Sequence, residues 1–519
     1  MRMFAAAAAL LAVGLSAHAT LFRWANDGDI ASLDPYARQE IFQLSFAANV
    51  YEPLVRRDRD LKIEPALAES WEQVSPTVWR FRLRPNVRFQ GGEPLTADDV
   101  VFSLERARAS QLSVQVASIS QIRALEPLVV EIETAQPNPI LLDDLTTWTI
   151  MSRSWAEANN AARVADASKR EENFATRHAN GTGPFVVASR EADRRTTLRS
   201  HAGWWDKPVH NLTEVRFDVI GNDATRVAAL ISGETDMLYT VPPQDVERLG
   251  RTANVKIVQR PELRTMFLGL DQSRPELLKS DVKGRNPFQD RRVREAMFLA
   301  IDADALHTRV MRGQSRTTGT VIAPGVRGYA ADVDTRLPPD LARARALLAE
   351  AGYPNGFGVT LDCSNDRYVN DEAICRAVAA MLARINIRVT VAAQPRGRFF
   401  SQVLGPRYET SFFLLGWTPP TYDVHNVLYG LFNTRGGTRG TMNVGGYANP
   451  QIDALTDRIG TELDPAKRNA LIHEALAKLR DDFAVLPLHQ QTIIWAVRSN
   501  VEVVQPADNF FPLRFVRVH

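Results

Sequence analysis

The sequence predicts an α/β protein with more than one domain. Segments with the apolar spacing of strands alternate with segments that have the spacing of helices, and short Gly- and Pro-containing stretches separate them. The chain has 519 residues, whereas a single hydrophobic core stops growing at about 250–300 residues. Hydrophobic residues make up 45% of the chain and charged residues 24%, which is ordinary for a globular protein. We therefore expect at least two folded α/β units.

The clearest single unit is a strand, a helix and a second strand in the second half of the chain. Val359–Leu361 has the composition of a strand, and Asn370 or Asp371 is placed to cap the helix that follows. Ile387–Ala392 returns as a second strand, and Phe412–Leu415 follows as a third. This order predicts a right-handed βαβ unit with parallel strands. The apolar residues that predict the helix are Ile374, Val378, Met381, Leu382 and Ile385.

Other elements carry clear signals at their ends. Thr96 is placed as a helix cap, and Asp464 precedes Pro465, a residue favoured at the first helical position. Residues 76–89 alternate with period two, which predicts an antiparallel strand with one face in water. Residues 180–185 are Gly-rich and contain a Pro, which predicts a turn leading into a strand. Helices are predicted at Ala97–Ala107, Asp290–Ile301 and Ala466–Asp481.

The N-terminus has the three parts of a secretory signal peptide. Arg2 gives a basic start, Ala5–Leu15 is an apolar run, and Ala17–Ala19 is a small-x-small cleavage box. The apolar run is too short for a membrane span, which needs about 20 residues. We expect cleavage after Ala19, a mature chain that begins at Thr20, and export from the cytoplasm.

Charge and motifs exclude several functional classes. The net charge is +2, and the loss of Arg2 with the signal peptide leaves +1. A nucleic-acid-binding protein usually carries a basic stripe or run, and this nearly balanced charge does not indicate one. The sequence contains no metalloprotease, P-loop, dinucleotide-binding or nucleophile-elbow motif. The acid pairs Asp98-Asp99 and Asp143-Asp144 are the candidates for a glycosidase-type carboxylate dyad. Adjacent acids more often cap helices or face solvent, so no catalytic residue is predicted.

Cys363 and Cys375 are the two cysteines of the chain. In an oxidising compartment an even number favours a disulfide, and the alternative is a pair of buried free thiols. A zinc site is not indicated, since two cysteines without a neighbouring histidine supply half of the usual ligands.

A series of motifs resembles the solute-binding proteins of peptide-type ABC importers, the peptide, oligopeptide and nickel-binding proteins of family 5. The signature block lies in the first hundred residues, and matching segments continue to the end of the chain. The matching segments are Asn49–Val55, Pro65–Trp71, Trp79–Arg84, Val87–Phe89, Leu95–Val100, Gly181–Phe185, Trp204–Pro208, Asp290–Ala300, Asn365–Tyr368, Gly446–Pro450 and Leu486–Leu488.

The resemblance implies two α/β lobes around a ligand cleft, joined by two crossover strands, with an extra subdomain in lobe I. Hinges are expected near Leu268–Asp271 and near Leu486–His489. Open α/β sheets bind ligands beyond the carboxyl ends of their strands, and two such edges face each other in this architecture. The implied division is a signal peptide (1–19), lobe I (20–267 and 488–519, with the extra subdomain at 60–178) and lobe II (268–487).

The resemblance also implies two charged ligand contacts. Peptide binders of the family hold the ligand's carboxylate with a basic residue, and Arg367 lies close to that position; the alternative is an ion pair with Asp366 or Asp371. They hold the ligand's amine with an aspartate after a Gly-Trp segment, where this chain has Pro420. Asp423 comes three residues later, and it either reaches a ligand cation through a shifted loop or hydrogen-bonds its own turn.

Aromatic and cationic loop residues complete the predicted site. Trp417 follows a predicted strand, where an aromatic ring can form the floor of a pocket. Arg396 and Arg398 follow another strand, and each is either a cleft cation or a solvated loop residue. Weaker candidates are Tyr422, Tyr51 and Trp148, and the alternative for a buried tryptophan is the core.

The predicted function is that of a periplasmic protein that binds a peptide-like solute and passes it to an ABC permease. We expect a monomer with no cofactor, no nucleic-acid partner and no catalytic activity. The same fold also carries other cargo: an opine, an oligosaccharide, or a nickel complex to which His425 contributes one ligand. A secreted hydrolase and a structural envelope protein are the alternatives from other classes.

Overall fold

A computed structural model describes residues 20–38, 40–110, 112–113, 116–166, 171–405 and 407–519. Within these residues the protein has 15 α-helices and 19 β-strands, which confirms the predicted α/β class. The predicted signal peptide lies outside the described residues. In the described part of the chain, no helix combines the length and the apolar character that a membrane span requires.

The helices are mostly short, and the longest has 17 residues. They are α1 (Ile41–Ala47), α2 (Ala97–Arg108), α3 (Leu141–Asp144), α4 (Arg153–Ala158), α5 (Phe174–Arg177), α6 (Asp223–Ser232), α7 (Val246–Gly250), α8 (Arg291–Ala300), α9 (Ala303–Ala305), α10 (Leu341–Glu350), α11 (Asp371–Ala383), α12 (Arg396–Val403), α13 (Val424–Val427), α14 (Pro450–Thr461) and α15 (Pro465–Asp481).

Two strands are much longer than the rest, and they join the lobes. The strands are β1 (Leu21–Asn26), β2 (Val55–Arg57), β3 (Ile63–Pro65), β4 (Ala68–Ser75), β5 (Val78–Leu83), β6 (Ile119–Glu126), β7 (Val129–Thr134), β8 (Phe185–Glu191), β9 (Arg195–Ser200), β10 (Glu214–Val219), β11 (Met237–Leu238), β12 (Val255–Leu270), β13 (Ser315–Thr317), β14 (Phe357–Ser364), β15 (Ile387–Gln394), β16 (Phe412–Trp417), β17 (Leu486–Arg498), β18 (Val501–Glu502) and β19 (Arg517–Val518).

One mixed sheet of 11 strands runs through both lobes. Its order is β15-β14-β16-β12-β17-β11-β1-β10-β9-β8, and β13 pairs with β17 outside this path. The long strands β12 and β17 are antiparallel neighbours at its centre. The strands on one side of this pair belong to lobe II and those on the other side to lobe I. The structure therefore has the two crossover strands that the resemblance implies.

The hydrophobic cores change along these two strands. Leu263 and the apolar residues after it on β12 pack in the lobe II cores, and Ile493 and those after it on β17 pack in the lobe I cores. The ladder between the strands shifts register between Pro261 and Thr265. The division on β12 thus precedes the predicted hinge at Leu268–Asp271. Because the strand is buried in both lobes, its sequence is hydrophobic on both sides of this boundary. The sequence pattern therefore does not mark where one lobe ends.

The predicted extra subdomain contains a four-stranded antiparallel sheet in the order β4-β5-β7-β6. The alternating segment is β5, on which Phe81 and Leu83 are buried and Arg82 is exposed. Helix α2 begins after Thr96, whose backbone N–H donates to the Asp99 carboxylate at 2.8 Å. Apolar residues of the subdomain and of lobe I form one continuous core, so the subdomain is a part of lobe I.

The Gly-rich segment forms a turn directly before β8, as predicted. The backbone N–H of Gly183 donates to the Val50 carbonyl at 2.9 Å. A Cβ atom on Gly181 would overlap the same carbonyl, so the two chain segments can approach this closely only without a side chain there.

The predicted βαβ unit is formed by β14, α11 and β15, and the two strands are parallel and adjacent. On α11, Ile374 and Val378 are buried against the sheet. Cys363 at the end of β14 and Cys375 on α11 form a disulfide. The disulfide closes the loop that connects the strand to the helix.

The other two predicted helices are α8 and α15, and an aspartate side chain caps the N-terminus of each. Asp290 accepts a hydrogen bond from the backbone N–H of Arg292 at 2.8 Å. Asp464 accepts one from Ala466 at 2.9 Å, ahead of a proline at the first helical position.

Candidate functional site

A cavity of about 320 Å³ lies between the two lobes. Small-molecule sites commonly measure about 300–1,000 Å³. Lobe I contributes residues of α1 and of the tail that follows β17, and lobe II contributes the loop after β14, helix α12 and the end of β16. The lining residues that bear on ligand binding are Glu40, Thr147, Arg264, Arg367, Tyr368, Trp417, Thr418, Pro420, Tyr422, Asp508 and Phe510.

Arg367 lies in the loop between β14 and α11, which the Asp371 carboxylate holds in place. That carboxylate accepts hydrogen bonds from the Ser364 hydroxyl at 2.7 Å and from the backbone N–H groups of Arg367 and Tyr368 at 3.1 Å each. The structure therefore commits Asp371 to the backbone of the loop. Asp366 accepts a hydrogen bond from the backbone N–H of Arg396.

The guanidinium of Arg367 is left without an acidic partner among the described residues. It stacks over the ring of Tyr368, 5.1 Å from the ring centre. Burial lowers the pKa of Arg367, and the nearby charge of Arg264 lowers it further. A half-buried cation beside a second cation favours an anionic ligand.

Arg264 is the second cation of the cavity, on crossover strand β12. Its Nη2 atom lies 3.3 Å from Oε1 of Glu262, a buried acid on the same strand. Burial raises the pKa of Glu262, and the charges of Arg264 and Arg367 oppose this effect. The sequence analysis did not identify Arg264. On a long buried strand, the order of polar and apolar residues does not show which side chains face a cavity.

Trp417 and Thr418 bring free polar atoms to the same wall. The indole N–H of Trp417 and the hydroxyl of Thr418 are buried and have no hydrogen-bond partner in the described structure. An unpaired buried polar group destabilises the protein until a partner arrives. Pro420, next to them in the cavity wall, has neither a charge nor a backbone donor to offer.

Two acids also line the cavity, and both belong to lobe I. Glu40 is exposed at the start of α1. Asp508 is 5% exposed and accepts hydrogen bonds from the Tyr422 hydroxyl at 2.8 Å and from the backbone N–H of Phe510 at 2.9 Å. Burial raises the pKa of Asp508. No local sequence pattern marks either acid as a cleft residue.

Tyr422 connects the two lobes beside the cavity. Its hydroxyl donates to Asp508 of lobe I, and the guanidinium of Arg57, also from lobe I, lies 4.3 Å from its ring centre. The Arg57 guanidinium in turn donates to the carbonyl of Thr421 at 3.3 Å. The predicted candidate Tyr422 therefore lies in the cavity wall and in the contact between the lobes.

Asp423 is placed elsewhere. It is fully buried and forms a two-point ion pair with Arg468, with distances of 2.9 and 2.7 Å between nitrogen and oxygen atoms. It also caps α13 by accepting from the backbone N–H of His425 at 2.8 Å. The structure thus commits this carboxylate to lobe II itself, and Tyr422 rather than Asp423 lines the cavity.

The structure places four other candidates outside the described lining of the cavity. Arg396 and Arg398 are exposed in the first turn of α12. Tyr51 and Trp148 are buried in the lobe I core, where the indole N–H of Trp148 donates to the Ser103 carbonyl at 3.2 Å. Buried aromatic residues have the same sequence signature in a core and in a pocket, so the sequence did not separate the two cases.

His425 lies on α13 beside the ring of Tyr429. Burial lowers its pKa to about 4, so its ring is neutral at pH 7. Within the described ranges, no three His, Cys, Asp or Glu side chains are grouped closely enough to hold a metal ion. The donor set around His425 does not make a nickel site from protein ligands alone.

Three of the four acids in the two acid pairs have structural partners. Asp99 caps α2, and Asp143 pairs with Arg57 and Arg327 at 2.8 Å each. Asp144 accepts from the side-chain amide of Asn138 at 2.8 Å. Each of these carboxylates has a partner in the protein, and the described lining of the cavity does not include them.

The family model for bacterial extracellular solute-binding proteins, family 5, matches residues 62–439, which is most of the chain. The chain belongs to this family. Members of family 5 are transport proteins that bind a solute, and the two-lobed fold described above agrees with that membership.

Relatives and solved structures show the same fold. The glutathione-binding protein GsiB of Shigella flexneri serotype 5b is 24% identical over 481 residues, covering 91% of this chain and 89% of the relative. DppA from Helicobacter pylori, solved with the peptide STSA, has a TM-score of 0.80 and 23% identity and covers 96% of this chain and 98% of its own. AgaA from A. tumefaciens R10, solved with agropinic acid, has a TM-score of 0.79 and 22% identity, with coverages of 96% and 99%.

Proposed function

We propose that this family 5 protein is a periplasmic receptor that captures a peptide or peptide-like solute between its lobes and delivers it unchanged to an ABC permease. The observation that carries the proposal is the unpaired guanidinium of Arg367 in the wall of the interlobe cavity. A planar guanidinium binds a carboxylate through two parallel hydrogen bonds, and every linear peptide ends in a carboxylate.

Free donors around Arg367 support a carboxylate at this position. The Trp417 indole and the Thr418 hydroxyl lie in the same wall without protein partners. A ligand carboxylate has about four lone-pair positions and can satisfy several donors at once. We assign Arg367, Trp417 and Tyr422 as ligand-binding residues, with Trp417 and Tyr422 packing against the body of the ligand.

Closure of the lobes would report that the cavity is filled. A ligand that contacts both lobes binds the closed form more tightly than the open form and therefore shifts the equilibrium towards it. A permease that recognises the closed form then receives loaded protein. Asp99, Asp143 and Asp144, three of the four acids considered for a secreted hydrolase, are engaged in structural contacts, which supports binding without turnover.

An opine-type or other non-peptide solute is the second candidate, and Pro420 is the observation that favours it. The lobe II loop offers no acid at this position to hold a peptide amine. AgaA binds agropinic acid with the same fold. A carboxylate-containing solute of this kind would use Arg367 in the same way.

Native mass spectrometry of protein purified from the periplasm tests the proposal, because it identifies the molecule that is retained. Isothermal titration with that molecule then compares the wild type with Arg367→Ala. We expect a loss of roughly 2–5 kcal/mol in binding free energy. Arg398→Ala, which removes an exposed arginine of α12, is the matched control and should bind as the wild type does. Unchanged affinity in a folded Arg367→Ala protein, or turnover of the bound molecule, contradicts the proposal.

A further inference from the structure

The charges of the cavity are sorted by lobe. The acids that line it, Glu40 and Asp508, belong to lobe I, whereas its cations, Arg264 and Arg367, belong to β12 and to lobe II. A solute that fills the cavity therefore has both acidic and cationic side chains within reach. This arrangement selects the charge distribution of the solute as well as its size.

Asp508 is the buried one of the two acids, whereas Glu40 is exposed to solvent. Its two hydrogen bonds, from the Tyr422 hydroxyl and the Phe510 amide, come from neutral donors. Among the described residues, no Lys, Arg or His lies within ion-pair distance of it. Arg57 is a nearby cation, but its guanidinium pairs with Asp143 and donates to the carbonyl of Leu61 at 2.9 Å.

A buried carboxylate without a cation is unfavourable unless a ligand supplies one. Transfer of an unpaired charge from water to a protein interior costs far more than transfer of a paired one. An ionised carboxylate also has acceptor positions beyond the two that Tyr422 and Phe510 fill. Asp508 lines both the interlobe cavity and a smaller one of about 110 Å³ that lobe I residues and Tyr422 line, so a ligand group has space beside it.

We propose that Asp508, together with Glu40 at the cavity rim, binds a cationic group of the solute. The solute class is then a zwitterion that spans the cleft, with an ammonium or similar cation on lobe I and a carboxylate on Arg367 of lobe II. This inference rests on the function proposed above and adds the acid that the loop at Pro420 lacks. The acid comes from the opposite lobe, so the two charges of the solute themselves connect the lobes.

Derivatives of simple peptides test the assignment. The probes are alanine di-, tri- and tetrapeptides and glutathione, each also in an N-acetylated form and a C-terminally amidated form. Titration calorimetry measures their affinity for the wild type, Asp508→Asn, Glu40→Gln and Arg367→Ala. N-acetylation should weaken binding to the wild type by about 10–100-fold, because it removes the ammonium, and should have little effect in Asp508→Asn. C-terminal amidation should weaken binding to the wild type and to Asp508→Asn, and it should have little effect on binding to Arg367→Ala.

Asn at position 508 keeps an oxygen that accepts from the Phe510 amide, and a thermal melt checks that each variant folds. Glu40→Gln changes an exposed side chain, so it tests the same lobe without a risk to the core, and it should reduce the acetylation penalty by a smaller factor.

The outcomes separate the two proposals. In one outcome, the peptides bind and amidation weakens their binding through Arg367, but acetylation weakens binding to Asp508→Asn and Glu40→Gln as much as binding to the wild type. This outcome overturns the cation site on lobe I and leaves the proposed function standing. If none of these zwitterions binds the wild type at millimolar concentration, both proposals are overturned.

Discussion

Arg327 of lobe II and Asp143 of lobe I form an ion pair across the boundary between the lobes, with 2.8 Å between Nη2 and Oδ2. The other oxygen of Asp143 accepts from Arg57 of its own lobe, also at 2.8 Å. Burial raises the pKa of Asp143, and the two arginines oppose this effect. The carboxylate thus holds a cation from each lobe, and it is not among the residues that line the ligand cavity.

Replacement of Asp143 by Asn should open the unliganded protein. It leaves Arg57, whose side chain is 11% exposed, without its buried partner, and loss of one partner of a buried pair costs roughly 3–5 kcal/mol. Arg327→Ala should have a smaller effect, roughly 0–1 kcal/mol, because the Arg327 side chain is 46% exposed. The measurement is the radius of gyration by small-angle X-ray scattering. Arg388→Ala, which removes an exposed ion pair within lobe II, is the control. Identical scattering from Asp143→Asn and wild type would exclude this contact as a lobe closure device.

The buried pair of Asp423 and Arg468 should stabilise lobe II without contacting ligand. Asp423→Ala leaves the Arg468 guanidinium buried and unpaired, and we expect a loss of roughly 3–5 kcal/mol in the free energy of unfolding. Adding Arg468→Met should recover most of this loss, since the unpaired charge is then gone. Urea denaturation of the single and double variants measures both effects. If the folded Asp423→Ala variant lost more binding free energy than free energy of unfolding, Asp423 would instead have a direct role in binding.

His489 should make the protein less stable in acid. It lies on crossover strand β17 with 0% exposure, neither ring nitrogen has a partner, and burial lowers its pKa to about 4. The unfolded chain, with a histidine pKa near 6.5, binds the proton first, so stability is complete above about pH 6.5 and falls as the pH drops towards 4. Between pH 8 and pH 5 this histidine should cost about 2 kcal/mol.

Thermal or urea unfolding at pH 8 and pH 5 measures this difference for the wild type and for His489→Leu. The leucine variant should show a smaller difference, because it has no group to protonate. His473→Gln, which replaces an exposed histidine, is the matched control. Equal pH dependence in His489→Leu and wild type would assign the acid sensitivity to other groups.

The disulfide between Cys363 and Cys375 should support the position of Arg367. It closes the loop that carries Arg367 and Tyr368, and a cross-link over this length stabilises a protein by about 3 kcal/mol in the chain-entropy model. The double variant Cys363→Ala and Cys375→Ala should melt at a lower temperature and bind the retained ligand more weakly. Addition of a reductant to this variant is the control and should change neither quantity. Full affinity in the double variant would mean that Asp371 alone holds the loop.

Helix caps and apolar periodicity were predicted from the sequence because they depend on neighbouring residues. The caps of α8 and α15 and the βαβ unit of β14, α11 and β15 agree with the predictions. At the N-terminus of α11, the side chains of the two proposed cap residues do not cap the helix in the predicted way. Asn370 adopts a left-handed backbone conformation with φ of 56°, and Asp371 binds the preceding loop.

Local sequence patterns do not show which side chains line the candidate site, because the surroundings of each side chain include residues far away in the chain. Asp423 looked like a cleft acid or a turn acid, and its partner Arg468 lies 45 residues later. Asp508 and Glu40 lie far apart in the sequence, and both line the cavity. Tyr51 and Trp148 are of residue types that often line pockets, but both lie in the hydrophobic core.

The sequence by itself determined the α/β class and the family, and it named Arg367 as a candidate, a residue that lines the cavity. These features depend on local patterns and on motifs that persist along the chain. Only the tertiary structure decided which charges face the cavity and which neutralise each other within a lobe. Burial and pairing across long sequence distances set the free energy of a charge, and folding brings those partners together.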